Sequence, residues 1–237
     1  MHKNSRTARK LKKLAWRFSQ PDWADNHGVM LPVKHTLVSP GIAREIYLGD
    51  YEAKEIEIIS KRLEADDVVF EVGAGLGFLS VYCAQRTGAA KVFTYEANPE
   101  LIPLIRETHA KNDVAPTLIN ALLAKGDGER EFHLEDDFWA SSAHRTGGRS
   151  ITVKQVDLNS ELARVKPSFL IVDIEGGEAE FFAGAELSTV KKICVETHPD
   201  VLGDHVLSQM FAGLVAKGFA LDFSLIRKNV FFFHRPV

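Results

Sequence analysis

The chain has 237 residues, 45% of them apolar and 26% charged, which excludes disorder, collagen and coiled coil and suits one globular domain with a sizeable core. Its net charge of −3 hides an asymmetry: seven Lys or Arg residues fall in the first 17 positions, before any acid, leaving 22 basic against 32 acidic residues beyond them. No apolar run exceeds four residues, far short of the ~20 that span a bilayer. The basic start lacks the apolar stretch of a signal peptide, so a cytoplasmic protein is expected.

Within the basic arm, Leu11, Leu14, Ala15 and Phe18 follow helical spacing. That face either packs on the domain or contacts anionic lipid, glycan or nucleic acid. Residues 20–60 read as an extension, irregular through Pro40 and helical over 51–63. The chain thus divides into an arm with irregular extension, 1–48, and one domain, 49–237. Cys83 and Cys194 belong to no C-x-x-C pair and read as buried small hydrophobes.

From residue 66 onward, short β-branched or aromatic runs alternate with helical ones, the pattern of a doubly wound, mostly parallel α/β sheet. Strands are expected at 68–72, 91–95, 117–119, 169–174, 193–197, 219–223 and 229–233, the last two pairing antiparallel. Helices are expected over 78–86 and, opened by Pro99, over 99–111. An insertion breaks the alternation: strand-like runs at 129–134 and 151–156 flank 136–150, which reads as an exposed loop. In that loop Phe138 and Trp139 either stack on a sugar ring or anchor a surface hairpin, and His144 and Arg145 offer polar contacts beside the Gly147-Gly148 hinge.

The most informative segment is VVFEVGAGLGF at 68–78. A strand ends in Glu71, and Gly73, Gly75 and Gly77 then let the backbone approach a ligand closely before a helix begins. The dinucleotide fingerprint G-x-G-x-x-G would need glycine where Phe78 stands, whereas E-x-G-x-G-x-G matches an S-adenosylmethionine site. Glu71 suits the ammonium of that cofactor, and Glu96, ending the next strand, suits the ribose hydroxyls. Asn120 either borders the adenine or is a turn residue. Asp173, Glu175 and Glu178 cluster after the strand at 169–174, beside the expected position of the reactive methyl. Asp173 is the leading base, Glu175 a partner for sugar hydroxyls or backbone N–H, and Glu178 a helix cap. Asp173 and Glu175 face opposite ways unless a turn begins between them. His198 is the histidine best placed for acid–base work, or else a hydrogen-bonded strand-end residue. The carboxylates have no accompanying histidine spacing, so no metal is expected.

Tyr51-Glu52, FEVGAGLGFLS, YEANPE, Asn120-Ala121, FWASS, FLIVDIEGGE and VETHP together resemble the FkbM family of S-adenosylmethionine-dependent methyltransferases, over roughly residues 49–197. The resemblance implies a class I, Rossmann-like methyltransferase domain, a cofactor site at Glu71, Gly73, Gly75, Gly77, Glu96, Asn120 and Ala121, and O-methylation of a hydroxyl on a sugar or related glycan. Gly75 stands where many relatives have Asn, which removes one polar contact from the cofactor turn. Two other readings stay open: a nucleic-acid methyltransferase recruited by the basic arm, disfavoured by the acidic body and the lack of an Asn-Pro-Pro-aromatic motif, and a non-catalytic S-adenosylmethionine-binding module.

Overall fold

The computed structural model describes residues 11–16, 18, 20–134 and 149–236. The expected loop residues Phe138, Trp139, His144, Arg145, Gly147 and Gly148 lie outside them.

The extension is not irregular. Trp23–Asn26 (β1) and Val29–Pro32 (β2) form an antiparallel hairpin. Its two-residue turn, His27-Gly28, has φ 54° and 88°, the left-handed geometry that matches strand twist in short hairpins. Ser39 then caps Pro40–Leu48 (α1), its hydroxyl accepting from the Ile42 N–H, and Gly49 at φ 79° ends it. Ala53–Arg62 (α2) follows. Ala24, Leu31, Ala43 and Ile46 share a core with Phe78 and Val92, so no packing boundary falls at residue 48.

The main sheet has seven strands: Val69–Val72 (β3), Val92–Glu96 (β4), Thr117–Asn120 (β5), Phe169–Val172 (β9), Lys192–Glu196 (β10), Ala220–Leu221 (β11) and Val230–His234 (β12). Their order is β11-β12-β10-β9-β3-β4-β5. Only β12 runs against its neighbours, as the expected terminal hairpin requires. Both faces are covered, and side chains alternate between them: Phe169 and Ile171 join one core cluster, Leu170 and Val172 the other. The helices are Phe78–Thr87 (α3), Ile102–Lys111 (α4), Leu158–Val165 (α5), Glu178–Gly184 (α6) and Pro199–Ala216 (α7). Cys83 and Cys194 are buried and unpaired, as expected.

Several boundaries differ from the sequence reading. The α4 helix starts at Ile102, not Pro99, because Asn98 Oδ1 accepts from the Glu100 N–H and holds a turn there; the first-turn proline is Pro103. The β9 strand stops at Val172, two residues early, where the chain turns toward a left-handed Glu175. The insertion contains a strand that the sequence pattern did not reveal, Leu122–Ala124 (β6). With Gly128–Leu134 (β7) and Arg149–Asp157 (β8) it makes a second sheet, ordered β6-β8-β7.

In the arm, residues 11–15 are helical, but the expected apolar face is not the packed one. Leu11, Leu14 and Phe18 are 62%, 52% and 83% exposed. Trp16 and Lys12 make the contact instead, the rings of Trp16 and Tyr47 lying 5.2 Å apart and the Lys12 ammonium over Tyr47. Among the described residues, no helix is long and apolar enough to cross a membrane.

Candidate active site

Chain order reverses between β3 and β9: β3, β4 and β5 step one way across the sheet, and β9 returns to the other side of β3. Open α/β sheets bind ligands in the crevice at such a switch point, outside the carboxyl ends of the strands. Here the crevice widens into a cavity of about 660 Å³, within the range of small-molecule sites. On the glycine-turn side it is bordered by Gly73, Gly75, Glu96, Ala97 and Ala121; the second sheet and its surroundings contribute Lys125, Arg130 and Phe132, α6 contributes Glu180, and Asp173 and Glu175 also line it.

The glycine turn is held very tightly. Gly73 has φ 88°, and a Cβ there would sit 1.7 Å from the Asp173 carbonyl oxygen. Only a residue without a side chain lets the β3 and β9 ends approach this closely. Gly75, at φ 52°, faces the cavity beneath Tyr51 and Glu52. Gly77 looks away from it, toward Ile105 and His109 of α4.

The two strand-end acids on which the cofactor reading rested are placed differently. Glu96 borders the cavity; its Oε2 accepts from the Ala74 and Gly75 N–H groups at 3.1 and 3.3 Å, and its Oε1 from the Asn98 N–H at 2.8 Å. Burial raises its pKa, and these backbone bonds oppose the rise. Glu71 is 1% exposed and does not line the cavity. It sits inside the strand, beside Thr94 and the start of α3, and burial pushes its carboxyl up to about 8. Asn120 donates to the Glu96 and Ala97 carbonyls, tying β5 to the β4 end, while Ala121 lines the cavity.

On the β9 side, the turn that the alternation argument required does occur. Glu175 at φ 52° brings its carboxylate round, so that Glu175 Oε2 and Asp173 Oδ1 lie 3.3 and 3.7 Å from His198 Nε2. The histidine's other nitrogen, Nδ1, bonds Glu178 Oε1 at 2.7 Å. Glu178, fully buried, also accepts from the Gly176 N–H, so its main partner is His198 and not the helix end expected for a cap. Burial works against charge on His198, but Glu178, Asp173 and Glu175 outweigh it and hold its pKa up to about 9. Burial and then the Glu196 carboxylate drive the Asp173 pKa well above the usual range, with His198 opposing. Asp173, Glu175 and His198 offer one ligand atom each within 4.8 Å of one another, so the histidine missing from the local pattern arrives from the neighbouring strand end.

The residues at and just before the start of α2 carry no role in the sequence reading. Tyr51 and Glu52 line the cavity, and Glu55, in the same helical turn, is buried, its pKa raised to about 7 by burial and Glu196. Lys54 bonds Glu196 and Asn229. The i, i+3 spacing of Glu52 and Glu55 was visible, but their approach to the glycine turn depends on α2 packing over β10 and β12.

The model of the FkbM methyltransferase domain matches residues 71–219. The chain belongs to the FkbM methyltransferase family. Its sheet order and single reversed strand are the class I methyltransferase arrangement. Hexuronic acid methyltransferase AglP of Haloferax volcanii is 30% identical over 159 residues, which are 63% of this chain and 64% of that protein. Ribosomal RNA small subunit methyltransferase A of Staphylococcus haemolyticus is 35% identical over 85 residues, 34% of this chain and 28% of that protein. The chain therefore spans less than two thirds of the length of either relative. Similar solved structures include a Pyrococcus furiosus methyltransferase (TM-score 0.49, 13% identity, 98% of both chains) and the S-adenosylhomocysteine-bound Podospora anserina methyltransferase PaMTH1 (TM-score 0.48, 15% identity, 100% of this chain and 98% of that one).

The cofactor of this family member is S-adenosylmethionine, and the site fits it. The molecule carries a sulfonium and an ammonium, and the cavity carries a surplus of carboxylates, with Asp173 Oδ1 buried and without a hydrogen-bond partner.

Proposed function

We propose that the protein transfers a methyl group from S-adenosylmethionine to a hydroxyl of a sugar or related glycan, by in-line displacement. When bound, the cofactor supplies a methyl carbon that is already electrophilic. The chain's own work is then to align the acceptor oxygen and remove its proton. Alignment of this kind is worth about 7 to 11 kcal/mol, and a positioned base adds about 10²- to 10⁴-fold.

The observation that carries the reading is Asp173: one cavity joins the glycine turn to a carboxyl whose pKa is raised. A carboxylate whose pKa is raised is, once ionised, a stronger proton acceptor than an ordinary carboxylate. Asp173 takes the hydroxyl proton, and His198, held by Glu178 and charged up to about pH 9, steadies the ionised form. Glu96 and the backbone at Gly73, Gly75 and Ala121 hold the nucleoside end. Glu175 and the Lys125–Arg130 end receive the acceptor. The relative named for hexuronic acid supports a sugar acceptor. The exposed Leu11, Leu14 and Phe18 beside seven basic residues support an arm that meets an anionic surface carrying that acceptor.

The test is a screen with methyl-labelled cofactor against sugar hydroxyls, sugar acids and RNA. Label in an ether on a sugar is the expected result. Label only in an ester or on an RNA base contradicts the hydroxyl assignment.

A further inference from the structure

The amino-acid portion of the cofactor needs an anionic partner for its ammonium, and the residue that the sequence motif offers, Glu71, is walled into the strand. We propose that Glu52 is that partner: it receives the α-ammonium from above the glycine turn. The inference rests on the cofactor assignment and extends it to a residue outside the glycine motif.

Position argues first. With Glu96 at the end of β4 and Ala121 just after β5 on the nucleoside side, the amino-acid portion extends toward the β3 and β9 ends. Glu52 lines the cavity there. A side chain built on Gly75 would meet Tyr51 Oη at 3.3 Å and Glu52 Oε1 at 3.7 Å, so both groups overhang the turn.

Backbone geometry argues second. Glu52 has φ 47° and ψ 33° and precedes α2 without capping it through its side chain. Glycine or asparagine is the ordinary occupant of that conformation, and a glutamate there is strained. The strain is thus borne by a residue whose carboxylate makes no bond to the helix end that it precedes.

Charge argues third. Glu52 stands near Glu55 and Asp173, and burial with those like charges raises its pKa well above the usual range. The adjacent cation, Lys54, is turned to Glu196 and Asn229. The Tyr51 hydroxyl donates a hydrogen bond to the carboxylate, but a hydroxyl brings no charge. A cationic ligand group would relieve the repulsion.

The experiment compares two ligands by calorimetry: S-adenosylhomocysteine, and 5′-methylthioadenosine, which keeps the nucleoside and sulfur but lacks the amino acid. Glu52→Gln should weaken S-adenosylhomocysteine about tenfold or more, the scale of one charge-assisted hydrogen bond, and change methylthioadenosine less than twofold. Glu52→Gly should show the same selective loss while the free protein melts no lower than wild type, because glycine relieves the left-handed strain. Glu71→Gln should leave both affinities within twofold. Equal loss of the two ligands, unchanged S-adenosylhomocysteine binding, or a selective loss that follows Glu71 would overturn the proposal. Wild-type protein that binds neither ligand would overturn the cofactor assignment along with it, an outcome distinct from a failure at Glu52 alone.

Discussion

At the glycine-turn end of the cavity the contacts are largely backbone: Gly73 lies against the Asp173 carbonyl, and the Ala74 and Gly75 N–H groups bond Glu96. At the far end the walls are side chains from the second sheet and α6, such as Phe132 and the Arg130–Glu180 ion pair. Backbone contacts fix a shape that a shared cofactor requires, whereas exposed side chains change freely with the acceptor. One cavity therefore has a rigid half and an adaptable half, and substitutions at its two ends should differ in kind.

The largest effect is expected at the rigid end. Gly73→Ala must push β3 and β9 apart, since the new Cβ would overlap the Asp173 carbonyl, at a cost on the order of 3 kcal/mol. Loss of cofactor binding and a markedly lower melting temperature should follow. Gly184 also lines the cavity, but a Cβ added there would meet nothing within 4 Å, so Gly184→Ala should leave melting and cofactor binding near wild type. Similar damage from both changes would erase the distinction between the ends.

Glu96→Ala comes next. It removes the proposed ribose acceptor and leaves the Ala74 and Gly75 N–H groups without theirs, so S-adenosylhomocysteine should bind about 1.5 to 3 kcal/mol more weakly by calorimetry. A smaller effect is expected from Arg130→Ala at the adaptable end. The Arg130–Glu180 pair is partly exposed and contributes at most about 1 kcal/mol, so steady-state kinetics should show a higher acceptor KM with the cofactor Kd unchanged.

A further effect is one of pH. The Glu71 pKa is raised from the usual 4.5 to about 8 by burial, so folding favours its protonated form. Its contribution to stability is fully present below about pH 4.5 and is lost as pH rises through about 8. Glu71→Gln should therefore melt close to wild type at pH 5 and above it at pH 9. A variant less stable than wild type at pH 9 would show that the carboxylate is solvated or paired.

The same division explains what could be read from the sequence. The glycine turn, Glu96 and the seven core strands were legible because they depend on local features: strand alternation, glycine spacing and the carboxylate ending a strand. The β1–β2 hairpin escaped notice although His27-Gly28 is a turn signal, because its four-residue strands pair only with each other, outside the alternation of strands and helices that marks the main sheet. The β6 strand has three residues and gains its identity only from pairing with β8. Glu71 was read as facing ligand because it stands next to the turn; its side chain points into the layer beside Thr94, an orientation set by the pleat. Glu52, Glu55 and the His198–Glu178 bond join elements 20 to more than 100 positions apart, and no local pattern encodes which ends meet.

Asp173 belongs to both halves, since its backbone carbonyl meets Gly73 while its side chain faces His198 and the cavity. The most direct measurement is accordingly the kcat of Asp173→Asn set beside its calorimetric affinity for S-adenosylhomocysteine. The carbonyl contact survives the substitution, so affinity should stay within a few-fold of wild type while kcat falls about 10²- to 10⁴-fold, as loss of a general base requires. Near-normal kcat, or a loss of affinity as large as the loss of rate, would contradict the account.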